Sequence, residues 1–462
     1  MMIRLKPHHA LFAVVAVLGV LCAAGLVRVF TILGQTFPFD PNEGWNAYLT
    51  AGMLHGDKLY PGSQAYIVNN YPPLSFYVVG LFGQLTGDLI VAGRLVSLLA
   101  VGIIGAAMTV LARQHGATKT VSLLAPLWFL AGLLLFTDYV GMDDPQLLAH
   151  AVSLSGLVVL MRRPEKIGLA AALFVAAFFV KHAVIALPIA AFLWLLIEDK
   201  RRALRLALYG GSLAIAGLIL FRLAYGVSLF AVVATARTYS ISQLVSSFSH
   251  WLIWTGPAIL ALAVLAWRVR QSAVRFWALY AAIAILIGTY FLGGAGVDPN
   301  VMFDADIALG VGLVLAIERL RGWQQPVAAA VIAAPLVFVA TTNGEWQEAY
   351  LDTAMLKSEA AVARADIAFM ASAKGPGLCE MLAFCYWAGK PPAVDMFNIG
   401  QAFETGARSD EEIARAVKDK RYAVIQFDPG EPYALGENVY QALIASYRLH
   451  HSDDFGSFYV PK

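Results

Sequence analysis

Charge is scarce in this chain of 462 residues. Only 14% of its side chains are Asp, Glu, Lys or Arg, against 59% hydrophobic ones, and the mean hydropathy is +0.67. Such a composition suits lipid and excludes a soluble enzyme. Cysteine is scarcer still: Cys22 lies in the first apolar segment, and Cys379 and Cys385 lie near the far end, which makes neither a disulfide framework nor a metal ribbon. The 33 basic and 31 acidic side chains nearly cancel. Their distribution is informative where their sum is not. Residues 1–342 hold 22 Lys+Arg and 14 Asp+Glu, whereas residues 343–462 hold 11 and 17. A basic membrane part is followed by an acidic tail, and nucleic acid is not expected as a partner of either.

Eleven apolar stretches, from 10–34 to 326–342, are near or above the length a bilayer requires. The first follows Arg4 and Lys6, is too long for a cleaved signal peptide and lacks an A-x-A-like exit, so it reads as a retained anchor with the N-terminus in the cytoplasm. A shorter apolar run, Leu74 to Leu85, is bounded by Pro72-Pro73 and Gly87-Asp88 and reads as re-entrant or interfacial. Parity supports this. If the run does not cross, the basic clusters all fall on the cytoplasmic side, and the outer loops receive only Lys58, Lys181 and Arg237. The expected fold is therefore a polytopic α-helical membrane domain, residues 1–342, with about eleven transmembrane helices and a large first outer loop at 35–89. A small extracytoplasmic α/β domain, residues 343–462, follows, with helical patterns alternating with short apolar strands. Under this topology Cys379 and Cys385 face an oxidising compartment, either bonded or as core thiols.

Most acids of the membrane part fall at the outer face. Asp143 and Asp144 stand where an apolar helix begins, and Asp304 at another helix entry, positions that are costly unless they face a cavity or a partner. Few cations share that level: Arg28, Arg94, Lys181 and Arg222. Arg28 is expected to snorkel to headgroups. Lys181, with its neighbour His182, is a candidate to hold a phosphate. A basic pocket facing an acidic one suits transfer from a lipid phosphate: cations stabilise the leaving phosphate, and a carboxylate deprotonates the attacking hydroxyl. Asp40 and Glu43, in FPFDPNEGWNAY, stand just after the first span, and the helix they open reads as amphipathic and lying on the membrane.

The acidic first-loop motif, G-x-x-L-Y-P, the Y-P-P-L element opened by Tyr71 and the A-G-R-L-x-S helix containing Arg94 together resemble the GT-C superfamily of integral-membrane glycosyltransferases. The resemblance is to family 39-like enzymes, among them protein O-mannosyltransferases and the lipid A aminoarabinose transferase. GMDDPQ resembles the second acidic motif, VKHAVIALP the Lys-containing motif, and GVDPNVMFD, with Asn300 and Asp304, the later outer-loop motif. The resemblance implies an inverting transfer from a polyprenyl-phosphate sugar to an extracytoplasmic acceptor at a bacterial inner membrane. The base would be a first-loop carboxylate, and Lys181, His182, Arg94, Arg222, Asp143, Asp144, Tyr71, Asn300 and Asp304 would bind the donor. Many family members carry adjacent acids before the glycine, whereas Asn42 precedes Glu43 here, so the base is Asp40 or Glu43, with Asp40 preferred. No cofactor is required by a monophosphate donor, although Asp143 and Asp144 could hold a divalent cation. The alternatives are a transporter or lipid-linked glycan flippase, for which midplane ionisable groups and inverted repeats are wanting, and a ligase using polyprenyl diphosphate, which would want more outer cations.

Overall fold

The computed structural model describes residues 6–62, 65–344, 347, 353–429 and 435–462. Among these, nine helices are long and apolar enough to cross a bilayer: α1 (Pro7–Ile32), α4 (Leu89–Gln114), the consecutive α5 (Lys119–Ser122) and α6 (Leu124–Phe136), α7 (Pro145–Arg162), α10 (Lys200–Tyr225), α12 (Ile241–Arg268), α13 (Ser272–Phe291), α14 (Phe303–Glu318, entered by the turn Pro299–Met302) and α15 (Gln324–Thr342). α2 (Pro41–Leu54), α3 (Leu74–Thr86), α8 (Ile167–Val180), α9 (Ala186–Glu198) and α11 (Leu229–Val233) are shorter. Every expected apolar stretch is a helix.

α8 and α9 have 14 and 13 residues, yet both run between the same two ends of the bundle as their neighbours. Lys181, where they meet, bonds to Asp144 at the start of α7, whereas at the far end of α9 Trp194 bonds to Ser272 and Glu198 pairs with Arg275, both of α13. The far end also gathers the basic clusters, with Arg202 donating to the Leu160 carbonyl and Glu318 accepting from Thr118. The bundle thus has one acidic and one basic end. α3 starts and finishes at the acidic end, with Tyr71 before it beside Asp144 and Asp88 after it bonded to Trp387 of the tail.

α14 is the axis of the bundle. Of its apolar window 89% is buried, against 11% for α10, which lies at the periphery of the bundle. Ala305, Ala308, Gly310 and Gly312 let neighbouring helices approach α14 closely, the usual device where lipid gives no hydrophobic drive to helix association.

The tail carries a four-stranded sheet in the order β1-β2-β4-β3: β1 (Gly377–Cys379) parallel to β2 (Val424–Phe427), then β4 (Gly456–Pro461) antiparallel to both β2 and β3 (Tyr447–Asp453). Leu378, Ile425, Phe427, Val417 and Leu443 form a core on one side of it. Val424, Phe384 and Phe458 join a second core that includes Trp45, Tyr48 and Tyr60 of the first loop. The tail and the first loop therefore share apolar interior. Cys379 and Cys385 form a disulfide, closing the turn between β1 and the helix Leu382–Trp387.

The first-loop helix is where the sequence misleads. α2 was expected to lie on the membrane, but Glu43 through Thr50 are all buried. It is held between α3 and α4 on one side and the tail helix Leu382–Trp387 on the other. Its periodicity marks only one of two buried faces, because the second is lined by small and amide side chains. Gly44 makes the contact possible. A Cβ there would lie 2.1 Å from the Ala383 nitrogen and 2.4 Å from the Leu382 carbonyl carbon, and backbone cannot step aside. Gly44→Ala should cost about 1–3 kcal/mol of stability and loosen the tail, read as a lower Tm and faster proteolytic release of residues beyond 353.

Candidate active site

Three Asp-Pro dipeptides open helical turns at the acidic end. Asp40 caps α2, accepting from the Asn42 amide at 2.8 Å; Asp144 caps α7, accepting from the Gln146 amide at 2.7 Å; Asp298 precedes the Pro299–Met302 turn. Proline at the first helical position has no amide to satisfy and its φ suits the helix, and an Asp cap uses one carboxylate oxygen. At Asp40 and Asp144 the second oxygen is thereby directed away from the helix. The three carboxylates act on one another and on Lys181.

Lys181 is buried at the C-terminal cap of α8. Its Nζ lies 3.4 Å and 3.3 Å from the two oxygens of Asp144 and 3.7 Å above the Tyr71 ring, so the cation is held by an ion pair and by the face of an aromatic ring. The Tyr71 hydroxyl donates to Asp144 at 3.4 Å, and Tyr139 donates to Asp298 at 3.0 Å. Burial lowers the Lys181 ammonium from its ordinary value, against the pull of Asp144, Asp298 and Asp40. Burial, Asp298, Glu43 and Asp144 lift Asp40 to about 7, with the Asn42 amide opposing. A carboxylate tuned there is a competent base near neutral pH. His182, beside Lys181, is held down to about 4 by burial and by the lysine, so its imidazole is neutral.

Glu43 sits differently. It is fully buried and forks onto Arg94, whose Nε reaches Oε1 at 2.7 Å and whose Nη2 reaches Oε2 at 2.6 Å. Arg94 also donates to the carbonyls of Ile32, Gln35 and Phe37, tying the chain that leaves α1 to the flank of α4. Asp143 lies against this pair: its amide donates to Glu43 at 3.2 Å, and its carboxylate fills the space a side chain at Gly93 would occupy. Burial, then Glu43 and Asp144, raise the Asp143 carboxyl well above the ordinary range, partly offset by Arg94.

Of the residues singled out in the sequence, Asp40, Tyr71, Asp144, Lys181 and His182 are therefore brought together. Glu43, Arg94 and Asp143 form a buried group behind them in which Arg94's donors are engaged by protein. The Asp144 carboxylate is held by Lys181, Tyr71 and the Gln146 amide, whereas the Asp143 carboxylate lies against Gly93, and both acids line one small cavity. Asn300 and Asp304 lie along a buried polar chain, in which Asn300 bonds to Gln146, Gln146 to His150, and Asp304 to Tyr280. Arg222 is exposed at the C-terminal end of α10, where it donates to the Gly226 carbonyl, apart from the cleft. Arg28 pairs with Asp138 at 3.2 Å and lies over Phe39. Asp298 and Tyr139 were missed as site residues, although VDPN repeats the Asp-Pro signal of FDPN and DDPQ.

An apolar groove of about 450 Å³ runs along α8, α9 and α10, lined by Phe174, Pro188, Phe192 and Gly210 among others. Val184 and Ile185, on the short turn that carries Lys181, also line it.

Fold and site together define a multi-pass helical membrane protein with a charged cleft at one end of its bundle. Residues 70–225, which contain Tyr71, Arg94, Asp144 and Lys181, match the dolichyl-phosphate-mannose-protein mannosyltransferase family. The whole chain superposes on ArnT from Cupriavidus metallidurans bound to undecaprenyl phosphate, with a TM-score of 0.65 and 16% identity over 96% of this chain and 97% of that one. The same protein in the apo state gives a TM-score of 0.59 at 16% identity, over 97% and 98% of the two chains. No curated protein sequence matches the chain.

Proposed function

We propose that this chain is an inverting glycosyltransferase that moves a sugar from a polyprenyl-phosphate donor to a hydroxyl of an extracytoplasmic acceptor. The observation that carries the reading is the placement of Lys181, paired with Asp144 and within the field of Asp298 and Asp40, on the turn whose Val184 and Ile185 line an apolar groove. The groove suits an isoprenoid tail. Lys181, with the positive ends of α2 and α7 beside it, suits the phosphate as it leaves. Asp40 takes the proton from the acceptor hydroxyl as its oxygen attacks the anomeric carbon, and the carbon–phosphate oxygen bond breaks on the opposite face. Free polyprenyl phosphate departs into the groove. Asp144 orients Lys181, and Glu43 and Arg94 hold the loop that carries Asp40. Purified protein given a radiolabelled polyprenyl-phosphate sugar and a cell-envelope extract as acceptor should release unglycosylated polyprenyl phosphate. Release only from a polyprenyl-diphosphate donor would overturn the reading in favour of a ligase.

The same proposal places the acidic end and the tail outside a bacterial inner membrane and the basic end in the cytoplasm. The disulfide fits an oxidising compartment. A cysteine at the exposed Ser409 should react with a membrane-impermeant maleimide in whole spheroplasts. Labelling only after lysis would reverse the orientation.

A further inference from the structure

The tail holds a second cluster of charged and imidazole groups, remote in sequence from every cleft residue. The helix Thr353–Ser372 contributes Asp366, and the C-terminal hairpin contributes His451 and Asp453. His451 and Asp453 are two apart on β3 and so share a face of the strand, and the register shift between Leu449 and His451 sets which face that is. One ligand-type atom from each of the three lies within 4.8 Å of the others. His451 Nε2 is 2.9 Å from Asp366 Oδ1 and 3.7 Å from Asp453 Oδ2. Two donors on one ion, each bonded at about 2.0–2.2 Å, lie about 3 to 3.5 Å apart, so the two separations from His451 need little adjustment and the two carboxylates, within 4.8 Å, would draw together on the ion.

Asp366 is 4% exposed and its Oδ2 has no hydrogen-bond partner. A buried carboxylate oxygen left unmatched is costly, and here a second carboxylate faces it. The imidazole is held in place: His451 stacks on Phe458 at 4.5 Å with the rings 6° from parallel. Its Nδ1 is 2.8 Å from His450 Nδ1, so one of these nitrogens carries the proton. Nε2 donates to Asp366 Oδ1, and a metal bound there would take the place of that proton, with the imidazole's proton moving to Nδ1, where its donation to His450 Nδ1 orients the ring as in ligating histidines generally. Asp453 Oδ1 accepts from the Phe455 amide, which fixes the carboxylate through the hairpin turn.

We propose that Asp366, His451 and Asp453 form a divalent-cation site of the zinc class in the C-terminal domain. One imidazole and two carboxylates supply a neutral nitrogen and two anionic oxygens, a donor set that selects zinc over the hard ions magnesium and calcium. The side chains of His451 and Asp453 are 30% and 22% exposed, so water can complete the coordination. The ion would join the helix that begins the described tail to its last hairpin. This site does not depend on the transferase reading.

The full-length chain, stripped with chelator and dialysed, should bind one equivalent of zinc chloride per molecule and unfold at a higher temperature with zinc present. His451→Gln and Asp453→Asn, both partly exposed and expected to fold, should each bind at least tenfold more weakly and lose the thermal shift. Asp40→Asn, in the cleft, should bind zinc as the unaltered chain does. Absence of stoichiometric zinc, equal affinity in the His451 and Asp453 variants, or displacement by equimolar magnesium chloride would overturn the assignment.

Discussion

Asp40→Asn should lower sugar transfer by about 10²–10⁴ while leaving the fold and donor binding intact, because a positioned general base contributes a factor of that order. Asparagine can still cap α2 through its side-chain oxygen, so the bond to Asn42 need not be lost. The pH dependence follows from the same group. With Asp40 raised to about 7 by burial and its neighbouring acids, the competent carboxylate is present above that pH and lost below it. kcat/KM of the unaltered protein should therefore rise through about pH 7 and level off. A profile already flat from pH 5 would mean that another group takes the proton.

Glu43 should respond in another way. Its fork onto Arg94 is fully buried on both sides, so Glu43→Ala leaves an unpaired guanidinium in the interior and should cost about 3–5 kcal/mol. The loss should appear as a lower Tm and poor yield, because Arg94 also fixes the carbonyls of Ile32, Gln35 and Phe37. The double variant Glu43→Leu with Arg94→Met should recover a large part of that stability, since both charges then leave together. If Glu43→Gln instead folded with unaltered Tm and lost all transfer, the base would be Glu43.

These two carboxylates show how far the sequence could be read. Each lies in the first acidic motif, three residues apart, and nothing local distinguishes them. What separates them is Arg94, 51 residues further on, which claims Glu43 and leaves Asp40 to the cleft. The membrane helices were legible because length and apolarity alone define them, and even α8 and α9, short as they are, stood out between their basic and polar ends. The burial of α2 was not legible, because the helix Leu382–Trp387 that covers it lies more than 330 residues away and packs on glycine and alanine, which leave no hydrophobic stripe. Arg222 stood out from its apolar surroundings; it lies exposed at the end of α10, where Phe221 and Tyr225 pack on Tyr60, and its guanidinium turns back to its own helix terminus. Asp298 was readable in principle from the third Asp-Pro pair. The disulfide was not, since a separation of six residues fixes no geometry until β1 and the following turn are placed.

The central claim is that Lys181 holds the donor phosphate while Asp40 acts on the acceptor, and donor affinity measured beside single-turnover rate tests it most directly. With a fluorescent polyprenyl-phosphate sugar, Lys181→Ala should bind the donor at least tenfold more weakly, and Lys181→Arg should keep the charge but recover only part of the affinity in a pocket shaped for an ammonium. Asp40→Asn should bind the donor as the unaltered protein does and fail only in the transfer step. Unchanged donor affinity in Lys181→Ala would contradict the account and remove this lysine from the site.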